Sequence, residues 1–559
     1  MRRLLPLVVS LAVALAGVVP TASASPQMPA RARAAHRLPE LAPAPADGLS
    51  RALDAGVVDE AEYALERALS LFARPPIERR FGEVAAPAPR AATALLRDLA
   101  IRRDRLASED RAVADALLAR PTDNKVGDPL NIKYGDAKPS RTCTPNLCFH
   151  YVTTGRHAVA LTDTNENGRP DYVDRVVDEL QRRVWNREIG QLGFRKPKRD
   201  SKSPNNGGNG RIDFYLADVG AESPPLYGYC TSDDPHLRSG SGYRFSNMSA
   251  YCVFDNDYSS SQFPNQTPMK NLRVTAAHEF FHAVQFSYDI FEDLWILENT
   301  AVWIEDEVYR GINDNLQYLE SSSMRHPQVS LDLGSSFFQY GNYIFWRFAT
   351  EKFGKRFVKQ VWNKADGAPG GGDMYSLRAL RTVIKRRAAF ARTFVNFGLA
   401  NFTPTEHYKK GSLYESRVGG APVRKHFMLG GSKRATAVQT RRLDHLASAH
   451  FTFSPSEDVK KGARLRVKVD GPVSKTSPKA TLVAFDGTRV IAKRFLQLNR
   501  GGVGAATVPF FKATHALLLL TNASARYKNC FNFPLSPFSC SGQPSDQNKA
   551  FEFKARLIQ

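Results

Sequence analysis

The period of the hydrophobic positions changes along this chain, and the changes divide it. From Leu49 to Phe72, apolar residues at Leu53, Val57, Tyr63, Leu65, Leu69 and Leu71 recur at helical spacing among polar neighbours. Ala91 to Leu118 keeps that character, with many arginines. Apolar positions every three or four residues mark the face that an amphipathic helix buries. Short strand-like runs follow at Cys148-Phe149-His150-Tyr151-Val152 and Ile212-Asp213-Phe214-Tyr215-Leu216, the latter after a glycine-rich turn beginning at Asn205. Val176 to Trp185 reads as a helix between them, and Ser223 to Phe254 as a looped excursion. The centre of the chain is helical and apolar: Ala276 to Gln285, Leu294 to Glu305, an aromatic run from Phe337 to Phe348, and basic amphipathic helices over Val358 to Phe397. From about Arg434 the texture becomes alternation. Ala463–Val469, Ala480–Phe485, Val503–Phe511, Ala516–Leu520 and Phe551–Leu557 read as strands parted by Gly, Asp and Ser turns.

These elements predict an α+β protein. A stretch over 25–130 begins disordered, being rich in Ala, Pro and Arg, and then turns helical. A mixed domain spans 131–425, and an antiparallel β-sandwich spans 434–559.

Composition adds a compartment. Met1-Arg2-Arg3, the apolar run Leu4 to Val19 and the small residues Ala22-Ser23-Ala24 form a signal peptide over 1–24. Pro6, Gly17 and the short length argue against a membrane anchor, so a secreted, extracellular chain without stable membrane insertion is expected. Six cysteines fall in three neighbouring pairs, Cys143/Cys148, Cys230/Cys252 and Cys530/Cys540. An even count in an exported chain favours disulfides, with sequential pairing preferred, and no C-x-x-C offers a thiolate zinc site. The net charge of +22 is spread from leader to last strand without a nucleic-acid motif, which excludes nucleic acid as the expected partner. An anionic cell-envelope polymer fits an exported basic protein better.

Two stretches carry candidate chemistry. Asp163, Asn165, Asn167, Asp171 and Asp174 place side-chain oxygens at positions 1, 3, 5, 9 and 12 of a loop with Gly168 at position 6. That is the order of an EF-hand calcium loop, in which Arg169 would offer its carbonyl. Asp174 stands where a bidentate Glu is usual, and the plain alternative is a polar turn capping the next helix. The expected calcium is structural.

The second stretch is His278-Glu279-Phe280-Phe281-His282, an H-E-x-x-H pattern. On a helix, residues four apart share a face, so both imidazoles reach one ion while Glu279 sits one step round, beside a water on that ion. Two neutral nitrogens, an open position and a carboxylate base are what a zinc hydrolase requires. The plain alternative is a helix with two packed or exposed histidines.

A later helix carries Trp295-Ile296-Leu297-Glu298-Asn299-Thr300-Ala301-Val302-Trp303-Ile304-Glu305. Here the chain resembles the gluzincin branch of zinc peptidases, and in particular a family of secreted bacterial metalloproteases that pair H-E-F-F-H with a later W-x-x-E-x-x-A-x-W. The resemblance implies Glu298, heading Glu298-Asn299-Thr300-Ala301, as third zinc ligand beside His278 and His282. Glu305, seven residues on, is the rival. It either orients a ligand or belongs, with Asp306 and Glu307, to a solvated helix end, the reading the sequence favours. In several zincins a downstream Tyr or His donates to the developing oxyanion, which implies Tyr340 first and Tyr343 second.

The expectation is therefore a zincin-like, secreted zinc endopeptidase acting on protein or peptide, with Glu279 as base. Residues 25–130 are either an inhibitory propeptide or a helical domain that stays attached. The alternative from another class is a non-catalytic, calcium-stabilised binding protein for a cell-surface polymer.

Overall fold

The computed structural model describes residues 47–558 except 89, 125, 126, 129, 130, 239–245 and 533–535. The expected signal peptide at 1–24 and the Ala/Pro/Arg-rich stretch up to residue 46 lie outside the described residues. The chain mixes helices with several largely antiparallel sheets and is α+β.

The N-terminal region forms α1 (Gly48–Asp54), α2 (Glu60–Leu69), α3 (Arg74–Phe81), α4 (Ala92–Arg102) and α5 (Ser108–Leu117). A capping box starts α2: Asp59 accepts from the Ala61 and Glu62 N–H groups, and Glu62 reaches back to the Asp59 N–H. All eleven residues of α4 are buried. Leu96 and Leu99 share one hydrophobic core with Phe280, Trp295 and Trp346, far along the chain. Arg120, just beyond α5, is a buried cation whose guanidinium bonds Asp233 at 2.8 and 3.1 Å, Asp200 at 2.9 Å, and Asp213.

The central sheet contains β1 (Ser140–Cys143), β2 (Leu147–Tyr151), β3 (Ile212–Ala217), β4 (Gly228–Thr231) and β5 (Tyr251–Asp255), in the order β1-β2-β3-β5-β4. The pairs β2–β3 and β3–β5 are parallel, and the flanking pairs are antiparallel. The excursion expected over Ser223–Phe254 thus contains the edge strand β4 and its neighbour β5. Both are buried along their whole length, so no alternation betrays them. The helix expected over Val176–Trp185 is α6 (Asp171–Asp178) running into two π-helical turns, Glu179–Val184 and Asn186–Gln191.

Beneath the sheet run α7 (Pro268–Asp289) and α8 (Leu294–Val308), both buried on nearly every face. No described helix is long and apolar enough to cross a membrane.

The C-terminal strands are β6 (Val423–Leu429), β7 (Gln439–Leu443), β8 (Ala447–Pro455), β9 (Arg464–Asp470), β10 (Pro478–Asp486), β11 (Arg489–Phe495), β12 (Val503–Pro509) and β13 (His515–Asn522). The short pair β14 (Tyr527–Lys528) and β15 (Gln543–Pro544) precedes β16 (Lys549–Ile558). Two sheets result, β11-β10-β13-β8-β6 and β12-β9-β16-β7, enclosing their own core. In β9 the alternation is complete, with Leu465, Val467 and Val469 inward and Arg464, Arg466 and Lys468 outward. The sandwich departs from expectation in two ways. It begins at Val423 rather than near 434, and β6 pairs parallel with β8. Val423 to His426 are exposed, so this edge strand carries no buried alternation to read.

The helix Phe390–Phe402 seats the sandwich, with Val395 and Leu399 against Val483, Phe485, Leu517 and Leu519. At that joint His450 Nε2 bonds the Gly398 carbonyl at 3.0 Å, and burial pulls the imidazole down to about 4. The folded value lies below the unfolded one (~6.5), so this histidine's contribution is complete above pH ~6.5 and is lost as the pH falls toward 4, on the order of 3 kcal/mol. Melting temperature measured from pH 7 to 4 should fall less steeply in His450→Gln than in the native chain. Parallel slopes would remove the joint as an acid-sensitive point.

Candidate metal centre

Helix α7 places His278, Glu279 and His282 with ligand atoms within 4.8 Å of one another. Helix α8 brings Glu298 up to them. Its Oε2 lies 3.4 Å from His278 Nε2 and 3.7 Å from His282 Nε2. Ligands held at ~2.0–2.1 Å around a tetrahedral zinc stand about 3.3–3.4 Å apart, close to those separations. All three atoms are buried without a hydrogen-bond partner. Buried polar atoms are normally paired, so three orphans converging on one point fit a cation between them.

The partners behind the ligands fix which nitrogen faces the centre. His278 Nδ1 bonds Glu305 Oε1 at 2.7 Å, which puts its proton there and leaves the Nε2 lone pair free. His282 Nδ1 bonds Gln285 Oε1 at 2.7 Å. The amide orientation is not arbitrary, since Gln285 Nε2 donates to the Leu297 carbonyl at 2.8 Å and to Thr300 Oγ1 at 3.0 Å. Both imidazoles are thus aimed as metal-binding histidines are usually aimed.

Without an ion the surrounding carboxylates favour a second proton on His278, which a metal must displace from Nε2. Burial raises the Glu298 carboxyl, but His282, His278 and Arg97 together hold it below its ordinary value. Burial works against the charged form of His278, and the neighbouring carboxylates of Glu298 and Glu305 outweigh it, pushing the imidazole up to about 10. His282 is pulled down by burial.

Glu305 corrects the expected solvated helix end. It is buried, and the same Oε1 that holds His278 accepts from Arg90 Nη1 at 2.8 Å. Asp306 and Glu307 are buried too, on Arg347 at 2.7 and 2.6 Å. Of the two roles open to Glu305, the geometry supports the orienting one. Glu305→Gln should weaken zinc binding about 10–100-fold without abolishing it. A competition titration against a chelator checks this, and unchanged affinity would remove Glu305 from the site.

Glu279 accepts from Thr93 Oγ1 at 2.7 Å, and Thr93 Oγ1 accepts from the Cys230 N–H at 2.9 Å. Tyr340 is buried with its hydroxyl unpartnered, and burial followed by the charges of Glu298 and Glu279 raises it well above the usual tyrosine value. Tyr343 instead lies among Tyr414, Asp306 and Arg347, so the second candidate belongs to the helix packing. Sequence reading missed Gln285, Thr93 and Arg90. Gln285 alone left a signal, lying one helical turn beyond His282 on the same face.

In the loop 163–174, Asp163 accepts from the Asn167 and Gly168 N–H groups, and Asn165 and Asn167 both donate to Asp174 Oδ2, at 3.0 and 2.8 Å. Asp171 turns to Thr164 instead. The Arg169 side chain pairs with Asp174, so a guanidinium already serves the carboxylate at position 12. Disulfides join Cys143–Cys148, Cys230–Cys252 and Cys530–Cys540.

No family model matches the chain, and no curated protein matches it. Among solved structures it is similar to the pre-peptidase C-terminal domain of a collagenase from Bacillus anthracis, at 12% identity over 24% of this chain and 97% of that one, with a TM-score of 0.14. It is similar also to PliG, a periplasmic inhibitor of g-type lysozyme from Aeromonas hydrophila, at 11% identity over 24% and 97%, with a TM-score of 0.15.

Proposed function

We propose that this chain is an exported, zincin-like zinc endopeptidase that hydrolyses peptide bonds in proteins or peptides. The observation that carries the reading is the convergence of three orphaned buried atoms, His278 Nε2, His282 Nε2 and Glu298 Oε2, beside the unligated carboxylate of Glu279. A zinc ion held by those three residues supplies Lewis acidity toward a water and a carbonyl oxygen. Glu279 takes the proton of the attacking water and hands it to the departing amine. Tyr340, with a hydroxyl free to donate, steadies the negative charge that develops on the carbonyl oxygen. Glu305 and Gln285 keep the two imidazoles in the tautomer the metal needs.

Three disulfides suit an oxidising, extracellular setting. A structural calcium in the loop 163–174 would take the oxygens of Asp163, Asn165, Asn167, the Arg169 carbonyl, Asp171 and Asp174, and would have to displace the Arg169 side chain from Asp174 and Thr164 from Asp171. The resemblance to secreted gluzincin-like proteases supports the same assignment.

The test is elemental analysis of the native chain and of His282→Ala after zinc loading, with casein and a peptide library as substrates before and after limited proteolysis. One zinc per native chain, its loss in the variant, and zinc-dependent cleavage are expected. A native chain that takes up no zinc would sink the reading and favour a binding protein for a surface polymer.

A further inference from the structure

The centre is closed. His278, His282, Glu298 and Tyr340 are each 1% exposed and Glu279 is 2% exposed, so a polypeptide substrate has no route to them in this state. What closes it belongs to the N-terminal region. Helix α4 packs against the edge strand β4 and sets Thr93 between two groups that a substrate would need. Thr93 donates to the base Glu279, and it satisfies the Cys230 N–H of the sheet edge. An open sheet edge is where an extended peptide pairs through its backbone, and here a hydroxyl caps that edge. One turn along α4, Arg97 donates to the Glu292 carbonyl at 3.0 Å and adds its charge to the field around Glu298. Just before the helix, Arg90 engages Glu305, the partner of His278, and Asp314 at 3.0 Å.

We propose that α4 is an inhibitory latch, and that the enzyme becomes competent when the segment holding it is cut out. The proposal rests on the peptidase reading for what the latch withholds, though not for the closure itself. The flanks of α4 are suited to cutting. Arg79 and Arg80 are exposed on one side, and on the other Arg105 is exposed at the end of a short 3₁₀ turn, before the buried Leu106 and the exposed Ala107 and Ser108. Hydrolysis after Arg80 and after Arg105 by a protease of trypsin-like specificity, one water entering at each bond, frees a piece that carries Thr93, Arg90 and Arg97 together. Arg120 lies beyond the second cut and remains in its cluster of aspartates, so the body keeps that anchor. Because α4 is buried in the main core, a single nick would leave it seated, and two cuts shorten it to a piece that can leave.

The experiment uses the full chain with recognition sequences for a sequence-specific endoprotease inserted after Gly82 and after Ala107, both exposed. Three quantities are read before and after cutting: the rate of zinc loss to excess chelator, amide exchange over 228–231, and hydrolysis of a peptide library. Cutting should speed zinc loss at least about tenfold and exchange at Cys230 likewise. Hydrolysis should rise about 100-fold as the open state becomes the populated one. Equal zinc loss and equal exchange before and after the double cut would overturn the latch. Faster loss and exchange with no hydrolysis would leave the latch standing and overturn the peptidase. Hydrolysis by the uncut chain at the rate of the cut one would overturn the latch alone. Thr93→Val, nearly the same volume without the hydroxyl, should quicken exchange at Cys230 in the uncut chain, which tests the contact without any insertion.

Discussion

Replacing Glu279 by glutamine is expected to leave zinc binding intact and to lower kcat/KM for a peptide substrate about 1,000-fold, measured after excision of α4. The side chain has an oxygen within 4.8 Å of the ligand atoms of His278 and His282, and Thr93 donates to it at 2.7 Å. Glutamine keeps the volume and still accepts that hydrogen bond, so the local fold persists. What it loses is the capacity to take a proton from water and return it to the amine. Elemental zinc and steady-state hydrolysis of one defined peptide, read on both proteins, check the two halves separately. A variant that retains a tenth or more of the native rate would remove Glu279 as base. A variant that loses its zinc would make Glu279 a ligand instead.

The second large effect is structural. Arg120→Met should destabilise the fold by about 3–5 kcal/mol, because removing one partner strands the other charges in the interior. Asp200, Asp213 and Asp233 are all buried around the guanidinium, and Asp213 also holds His150 Nε2 at 2.8 Å. Burial already lifts Asp200 to about 8 despite the arginine. Without the guanidinium, nothing opposes that rise. A carboxyl whose folded value is raised contributes stability while protonated and loses it as the pH climbs through that value. The urea midpoint of the variant should therefore improve on going from pH 8 to pH 5, relative to the native chain. A deficit that is flat in pH would show that the three aspartates are not the source of the cost.

Much of this architecture was legible because period and burial agree. The strands β9 and β16 fall on runs whose alternation matches their burial, β10 and β13 on short apolar runs buried on both faces, and α7 and α8 on the two long apolar stretches. The shared face of His278 and His282, with Glu279 one step round, was legible because helical spacing decides which side chains lie together, whereas Glu298, on another helix, came only from the resemblance. The failures have one physical origin. A polar residue declares its exposure only if its partner is nearby in sequence, and the partners of Glu305, Asp306 and Glu307 are Arg90, Arg347, Lys410 and Arg187. A trio of acids read alone looks like a solvated helix end. Thr93 is equally silent: one small hydroxyl in an apolar helix acquires meaning only when Glu279 and Cys230 are folded onto it. The strands β4 and β5, buried on both faces, and the exposed edge β6 lack the alternation by which a strand is recognised.

The start of α8 has a consequence of timing. Asp293, which precedes the helix, accepts the Cys540 N–H at 2.9 Å and the Ser376 hydroxyl, and Trp295 Nε1 donates to Ser539 at 3.0 Å. The turn that carries Glu298 is therefore fastened by residues almost at the end of the chain. A ribosome delivers those residues long after α7 and its histidines. A polypeptide that stops short of Cys540 would hold the two imidazoles with Glu298 only loosely positioned beside them. Assembly of the candidate centre thus waits for the segment that carries Ser539 and Cys540.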